Sequence, residues 1–123
     1  MHMKTILLID DEPELLELLE YLFKQLNYSV ISYPQAIAVE AIQDLSPDLI
    51  VLDYNLGEIS GGDLCRQVKA IPQTQHIPVL MLSGDEQLPE LAKNSCADAY
   101  LRKPFDIAEL HSAVRNITTL KAL

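Results

Sequence analysis

Short apolar runs alternate with amphipathic segments along this chain, and that alternation is typical of an α/β protein. Runs of five or six mostly apolar residues predict strands at positions 4–9, 29–33, 48–53, 78–82 and 97–101. Helical spacing of apolar residues predicts helices at 13–26, at 35–45, from Gly61, at 86–94 and from Asp106. The order of these elements predicts a doubly wound, parallel, five-stranded sheet with helices on both faces.

Three of these helices carry more specific predictions. The first should bury one leucine stripe, made of Leu15, Leu18, Leu19, Leu22 and Leu26. The last should begin with a reciprocal cap between Asp106 and Glu109. Its buried face should consist of Ile107, Leu110, Val114 and Ile117. Pro89 fits only the first turn of the helix at 86–94, because proline lacks the N–H that a helix interior uses.

Composition excludes several classes of protein. The chain has 123 residues, so we expect one domain over 1–123. Its formal net charge of −9 at pH 7 disfavours direct binding to nucleic acid or to an anionic membrane. The sequence shows neither a membrane span nor a secretory signal, so we expect a cytoplasmic location. Cys65 and Cys96 lack the spacing of a zinc site or a disulfide framework, and we interpret them as packing thiols.

Polar residues stand where the predicted strands end. These are Asp10 and Asp11 after the first strand, Asp53 at the third, Ser83 at the fourth and Lys103 after the fifth. Ligands of such sheets bind beyond the carboxyl ends of the strands. Three carboxylates there would repel one another, and with no His or Cys nearby their oxygen atoms favour Mg²⁺ over zinc. Each residue alone could be structural, as in an aspartate helix cap, but together they predict a site that could also take phosphate.

Four motifs extend this interpretation to a family. They read I-L-L-I-D-D-E-P at 6–13, L-I-V-L-D-Y-N-L at 49–56, P-V-L-M-L-S-G at 78–84 and A-Y-L-R-K-P-F at 99–105. On these motifs, nearly the whole chain resembles the receiver domain of two-component response regulators, including the single-domain chemotaxis regulator. The resemblance implies a flavodoxin-like sheet with strand order 2-1-3-4-5.

The resemblance also implies a phosphoacceptor and a metal site. Asp53 would accept the phosphoryl group. Asp11 would bind Mg²⁺ directly, Asp10 would act mainly through water, and Asp53 together with the backbone carbonyl of Asn55 would complete the site. The phosphoryl donor would be a phosphohistidine on a sensor histidine kinase or on a histidine phosphotransfer protein.

The remaining implied roles concern catalysis and switching. Lys103 would contact a phosphoryl oxygen, and Ser83 would move to hydrogen-bond it. Tyr100 matches the aromatic switch of the family, and the Lys103–Pro104 peptide bond matches one that is usually cis. The implied protein is a signalling phosphoacceptor that controls an unknown output protein and slowly loses its phosphoryl group to water, rather than an enzyme that turns over a small substrate.

The sequence departs from the family at four points. Gly57 replaces a usual proline, so we expect a more mobile loop. Cys96 replaces a usual glycine before the fifth strand, and a cysteine fits at that position if φ is negative. The segment from Ser83 to Lys103 is two residues shorter than expected. We also expect no output domain after Leu123, which leaves a stand-alone regulator or a fragment.

Two other classes of protein share parts of this pattern. A flavin mononucleotide binder of the same topology would need a Ser/Thr/Gly-rich phosphate loop where this chain has Asp-Asp-Glu-Pro, and a colourless protein would exclude it. An aspartate-nucleophile phosphohydrolase would carry a D-x-D motif on the first strand and a cap domain. Failure to hydrolyse phosphomonoesters would separate that class.

Overall fold

The computed structural model describes residues 3–122, in which strands and helices alternate. The strands are β1 Thr5–Ile9, β2 Ser29–Tyr33, β3 Leu49–Asp53, β4 Val79–Ser83 and β5 Ala99–Arg102. The helices are α1 Pro13–Gln25, α2 Val39–Leu45, α3 Gly61–Ala70, α4 Leu88–Asn94 and α5 Ile107–Ala122. All five strands are parallel, in the order β2-β1-β3-β4-β5. The predicted fold is confirmed.

Alternate side chains of the central strands supply two separate cores. One strand face, with Leu7, Ile50 and Met81 among its members, packs under α2, α3 and α4. The other, with Leu8, Val51 and Leu80, packs under α1 and α5. Because both faces of the sheet are covered, its central strands are continuously apolar. None of the helices described between residues 3 and 122 is long and apolar enough to cross a membrane.

The buried face of α1 differs from the predicted leucine stripe. Leu19 is buried as expected, but the other buried residues of α1 are Leu16 and Phe23, while Leu18 is 51% exposed. The prediction was wrong for Leu18 and missed Leu16 and Phe23, whereas Leu15 and Leu22 are partly buried against the same core as Leu19. The apolar surface of α1 is wider than one stripe, and its centre at Leu16, Leu19 and Phe23 packs on the sheet. The edge of this surface, with the exposed Leu18, borders a groove against α5.

Two predictions about the starts of helices are confirmed, and two are wrong. Asp106 and Glu109 form the predicted reciprocal cap at the start of α5, with hydrogen bonds of 2.7 and 3.2 Å. Pro89 lies in the first turn of α4, as predicted. Ile107 is 57% exposed, however, so its predicted burial was wrong. The second helix begins at Val39 rather than at residue 35, because the backbone just before it is extended.

Cys96 has a φ of +65°, so the negative φ that would accommodate a cysteine easily is not what the structure has. The reason is the way α4 ends: the N–H of Cys96 bonds to Lys93 O at 3.1 Å, and the N–H of Ala97 bonds to Ala92 O at 3.0 Å. This pair of bonds is a Schellman motif, which requires a left-handed residue at this position and explains the usual glycine. Cys96 is also exposed, whereas Cys65 is buried, so only Cys65 is a packing thiol.

Candidate functional site

The carboxyl ends of the strands bring three aspartates together. Asp10 follows β1 and is completely buried, Asp53 ends β3 with 3% exposure, and Asp11 is exposed at the rim. One carboxylate oxygen from each of the three lies within 4.8 Å of the others. The sequence predicted this convergence, because the ends of neighbouring parallel strands meet at one edge of the sheet.

Lys103 brings a positive charge to this cluster from the end of β5. Its backbone N–H bonds to Ser83 O at 2.9 Å, which ties the two strand ends together. Its ammonium nitrogen lies 2.9 Å from Asp10 Oδ2 and 3.5 Å from Asp53 Oδ1. The following peptide bond, between Lys103 and Pro104, is cis.

The environment of Asp53 favours its protonated form. Burial, followed by the charge of Asp10, raises its pKa to about 6, although the charge of Lys103 and a hydrogen bond from the backbone N–H of Asn55 lower it. Burial also disfavours the charged form of Lys103. The hydrogen bond that Lys103 donates to Asp10 and the negative charges of Asp53 and Asp10 overcome that effect, so the pKa of Lys103 is raised. The metal-free pocket is therefore rich in uncompensated negative charge.

Ser83 and Tyr100 lie at different depths of this edge. Ser83 is fully buried, and its Oγ accepts a hydrogen bond of 3.1 Å from the N–H of Asp85. Tyr100 pairs with Met81 in the β4–β5 register and is 48% exposed. Asn55 is exposed, two residues beyond Asp53. The structure thus shows where these residues stand, and their proposed roles remain predictions.

Two features of the site were missed in the sequence. The sequence indicates only that Glu12 belongs to the turn into α1, yet its Oε1 lies 3.1 Å from the ammonium of Lys103. The sequence indicates only that Gly61 begins a helix, yet a Cβ added to it would overlap the carbonyl oxygen of Asp53. The acidic run Asp10-Asp11-Glu12 and the pair Gly61-Gly62 were the available signals.

Comparison with known proteins gives the class of this molecule. Residues 6–115 match the family described as the response regulator receiver domain, and the chain belongs to that family. Receiver domains act in two-component signalling, which fits both the strand order and the polar edge.

Individual relatives agree with this assignment. The DNA-binding dual master transcriptional regulator RpaA of Synechocystis sp. is 36% identical over 116 residues, covering 92% of this chain and 48% of RpaA. The chain thus spans about half the length of that relative. The crystal structure of a putative response regulator from Chloroflexus aurantiacus has a TM-score of 0.84 and 33% identity, with 96% of this chain and 99% of that one covered.

A further solved structure bears on the metal. The receiver domain of the sensor histidine kinase PA1611 from Pseudomonas aeruginosa has a TM-score of 0.87 and 25% identity, covering 96% of this chain and 99% of that one. That receiver domain has a magnesium ion coordinated in its active-site cleft.

Proposed function

We propose that Asp53 accepts a phosphoryl group and that this modification switches the protein between two signalling states. One observation supports this proposal above all. The buried carboxylate of Asp53 lies beside both the acidic pair Asp10–Asp11 and the ammonium of Lys103, with 3.5 Å between Asp53 Oδ1 and Lys103 Nζ. A carboxylate attacks a phosphoryl group when positive charge offsets both its own charge and the charge of the phosphoryl oxygens. Lys103 supplies part of that positive charge, and a cation held by the acidic cluster would supply the rest.

We infer that Mg²⁺ is the cofactor, because the donor set consists of carboxylate oxygens. Such hard oxygen ligands suit Mg²⁺, which binds few carboxylates and keeps several waters. Asp11 would bind it directly, Asp10 mainly through water, and Asp53 and the carbonyl of Asn55 would complete the site. When bound, Mg²⁺ would neutralise negative charge on Asp53 and on the phosphoryl oxygens. The magnesium held by the PA1611 receiver supports this inference.

We propose the following roles for the residues during transfer. A carboxylate oxygen of Asp53 forms a bond to phosphorus while the bond from phosphorus to the donor nitrogen breaks, and that nitrogen keeps the bonding electrons. Lys103 would hold one phosphoryl oxygen, and Ser83 would hydrogen-bond another. Attack of water on phosphorus later returns free phosphate and the Asp53 carboxylate, so the phosphorylated state is transient.

The proposed donor is a phosphohistidine on a sensor histidine kinase or a phosphotransfer protein. An apolar groove of about 370 Å³ between α1 and α5 adjoins the pocket, sharing Glu12 and Lys103 with it, and Leu18 and Ile107 project beside it. A protein whose phosphohistidine reaches Asp53 must cover the surface next to the pocket, so we assign the groove to this donor. The output protein, the absence of direct nucleic-acid binding and the cytoplasmic location stay predictions from the sequence.

The direct test of this function is a phosphorylation assay on the whole chain. Incubation with acetyl phosphate and Mg²⁺ should add one phosphoryl group, detected by intact mass spectrometry, and peptide mapping should locate it on Asp53. Excess chelator should prevent the reaction. Phosphorylation that persists in chelator, or that maps to another residue, would contradict the assignment.

Metal binding should be visible in stability before any phosphorylation. Because Mg²⁺ would bind only the folded acidic cluster, millimolar Mg²⁺ should raise the melting temperature, and at a hundred times its Kd the gain is about 2.7 kcal/mol. Asp11→Asn should remove most of this increase. The matched control is Asp44→Asn, at an exposed aspartate of α2, which should retain it. A wild-type melting temperature unchanged up to tens of millimolar Mg²⁺ would contradict the metal site.

Ser83 should couple the phosphoryl group to Tyr100. A hydrogen bond to a charged acceptor is worth about 1.5–3 kcal/mol, enough to shift a two-state equilibrium about ten- to a hundredfold. With beryllofluoride as the phosphoryl mimic, NMR should show a changed environment for the half-exposed Tyr100 ring. Ser83→Ala should still be phosphorylated but lose most of that change, whereas the exposed Ser112→Ala should keep it. A full Tyr100 response in Ser83→Ala would refute the coupling.

A further inference from the structure

Glu12 forms a contact in the pocket to which the phosphotransfer chemistry assigns no role. The ammonium of Lys103 makes hydrogen bonds of 2.9 Å to Asp10 Oδ2 and 3.1 Å to Glu12 Oε1. Its distance to Asp53 Oδ1 is longer, at 3.5 Å. Among the residues that the structure describes, Lys103 is thus held more closely by two neighbouring carboxylates than by the proposed phosphoacceptor.

The three carboxylates around Lys103 differ in how much free energy it costs to break their contact with its ammonium. The side chains of Asp10 and Asp53 are 0% and 4% exposed, whereas that of Glu12 is 60% exposed. Breaking the contact with Asp10 would leave a buried charge without its partner, which is costly. The carboxylate of Glu12 can instead turn into water, where an exposed ion pair loses little.

The backbone of Glu12 is anchored, so this freedom is confined to the side chain. Its N–H donates to Asp10 Oδ1 at 2.9 Å, and its carbonyl accepts from the N–H of Leu16 at 3.0 Å. Glu12 therefore stays at the start of α1 whether or not its carboxylate contacts Lys103. The contact can open and close without any movement of the helix.

An incoming phosphoryl group would compete with Glu12 for Lys103. An ammonium has three N–H donors. Asp10 and Glu12 use two of them, so only the third is left for Asp53 and a phosphoryl oxygen together. A phosphoryl group at Asp53 adds negative charge beside the Glu12 carboxylate and offers Lys103 a stronger acceptor. Of the two existing hydrogen bonds, the one to the exposed Glu12 is the cheaper to break.

We propose that Glu12 is a positioning residue that restrains Lys103 at the mouth of the pocket and releases it when a phosphoryl group arrives. The inference rests on the proposed function of Asp53. Glu12 then opposes phosphorylation, because the free energy needed to break its contact with Lys103 weakens the binding of the phosphodonor. Removing the negative charge of Glu12 should therefore favour the reaction.

The test compares Glu12→Gln with Glu14→Gln, which removes the same charge from an exposed glutamate in the first turn of α1. Phosphorylation rates are measured against acetyl phosphate concentration at saturating Mg²⁺. In Glu12→Gln the half-saturating concentration should fall roughly two- to fivefold, the range for losing an exposed ion pair. The maximal rate should change much less. Affinity for beryllofluoride, measured by NMR, should rise by a similar factor, and both effects should shrink at high salt.

Three other outcomes would contradict either this role of Glu12 or the proposed function of Asp53. An equal effect in Glu14→Gln would show that only overall charge matters, and the inference would be wrong. An unchanged or higher half-saturating concentration in Glu12→Gln would overturn it as well, because Glu12 would then not oppose donor binding. If the wild type is neither phosphorylated nor able to bind beryllofluoride, the proposed function of Asp53 fails instead.

Discussion

Replacing Asp53 with asparagine should abolish phosphorylation and at the same time stabilise the metal-free protein. Burial, together with the charge of Asp10, raises the pKa of Asp53 from 3.8 to about 6, so the folded state penalises its ionised form. A shift of this size corresponds to about 3 kcal/mol. Asparagine is neutral and similar in shape, so at pH 7 without metal its free energy of unfolding should exceed that of the wild type by up to this amount.

The pH dependence identifies the cause of this stabilisation. Below about pH 4, Asp53 is protonated in both the folded and the unfolded chain, so wild type and Asp53→Asn should be equally stable. Between about pH 4 and 6 the unfolded chain loses this proton first, and the wild type loses stability relative to the variant. Above about pH 6 the difference should be constant. Urea unfolding of both proteins across this pH range, with chelator present, measures this difference in the free energy of unfolding.

A matched substitution and a metal titration complete this test. Asp63 is exposed, and its hydrogen bonds with Arg66 and Ser60 lower the pKa of its carboxyl. Asp63→Asn should therefore give no stabilisation at neutral pH. Saturating Mg²⁺ should remove the advantage of Asp53→Asn, because the metal compensates the charge that asparagine lacks. If Asp53→Asn were no more stable than the wild type at pH 7, the pocket would not be electrostatically strained.

The residues that form the polar edge could be predicted because their positions follow from strand ends. Asp10, Asp53, Ser83 and Lys103 each stand at or just beyond the end of a predicted strand. Parallel strands that are neighbours in a sheet bring such residues together regardless of side-chain detail. Topology alone was therefore enough to place them within one pocket.

The contacts of individual side chains could not be predicted in the same way. Leu18 and Leu19 are adjacent apolar residues of α1, and only packing against the sheet decides that Leu19 is buried and Leu18 exposed. The left-handed backbone of Cys96 comes from hydrogen bonds to two carbonyls of α4 and not from its own side chain. The pairing of Glu12 with Lys103 joins residues 91 positions apart. Each of these depends on distances that a one-dimensional pattern does not contain.

The start of α3 lies directly against the backbone of Asp53, the proposed phosphoacceptor. The N–H of Gly61 bonds to Tyr54 O at 2.7 Å. A Cβ on Gly61 would overlap Asp53 O and would lie only 2.9 Å from the Asp53 carbonyl carbon. Glycine is therefore required here by a close approach of two backbone segments. Its replacement must displace either α3 or the end of β3.

Gly61→Ala should consequently impair both stability and phosphorylation. Forcing extra volume into a well-packed region costs about 1–3 kcal/mol, which urea unfolding would detect. Displacement of Asp53 relative to Lys103 should also slow phosphorylation by acetyl phosphate, by up to about a hundredfold for a misplacement near 1 Å. The rate should be compared at saturating Mg²⁺ and under conditions in which the variant is fully folded.

Gly62→Ala provides the control, because it adds the same methyl group one residue later. A Cβ there would lie 2.7 Å from Ser95 Oγ and 2.7 Å from the Tyr54 ring, which are side chains and not the backbone of Asp53. This variant should lose stability, since Ser95 is buried and hydrogen-bonded to Leu91 O, but its phosphorylation rate should stay close to that of the wild type. Equal slowing in the two variants would mean that general loosening of α3, rather than the contact between Gly61 and Asp53, controls the position of the phosphoacceptor.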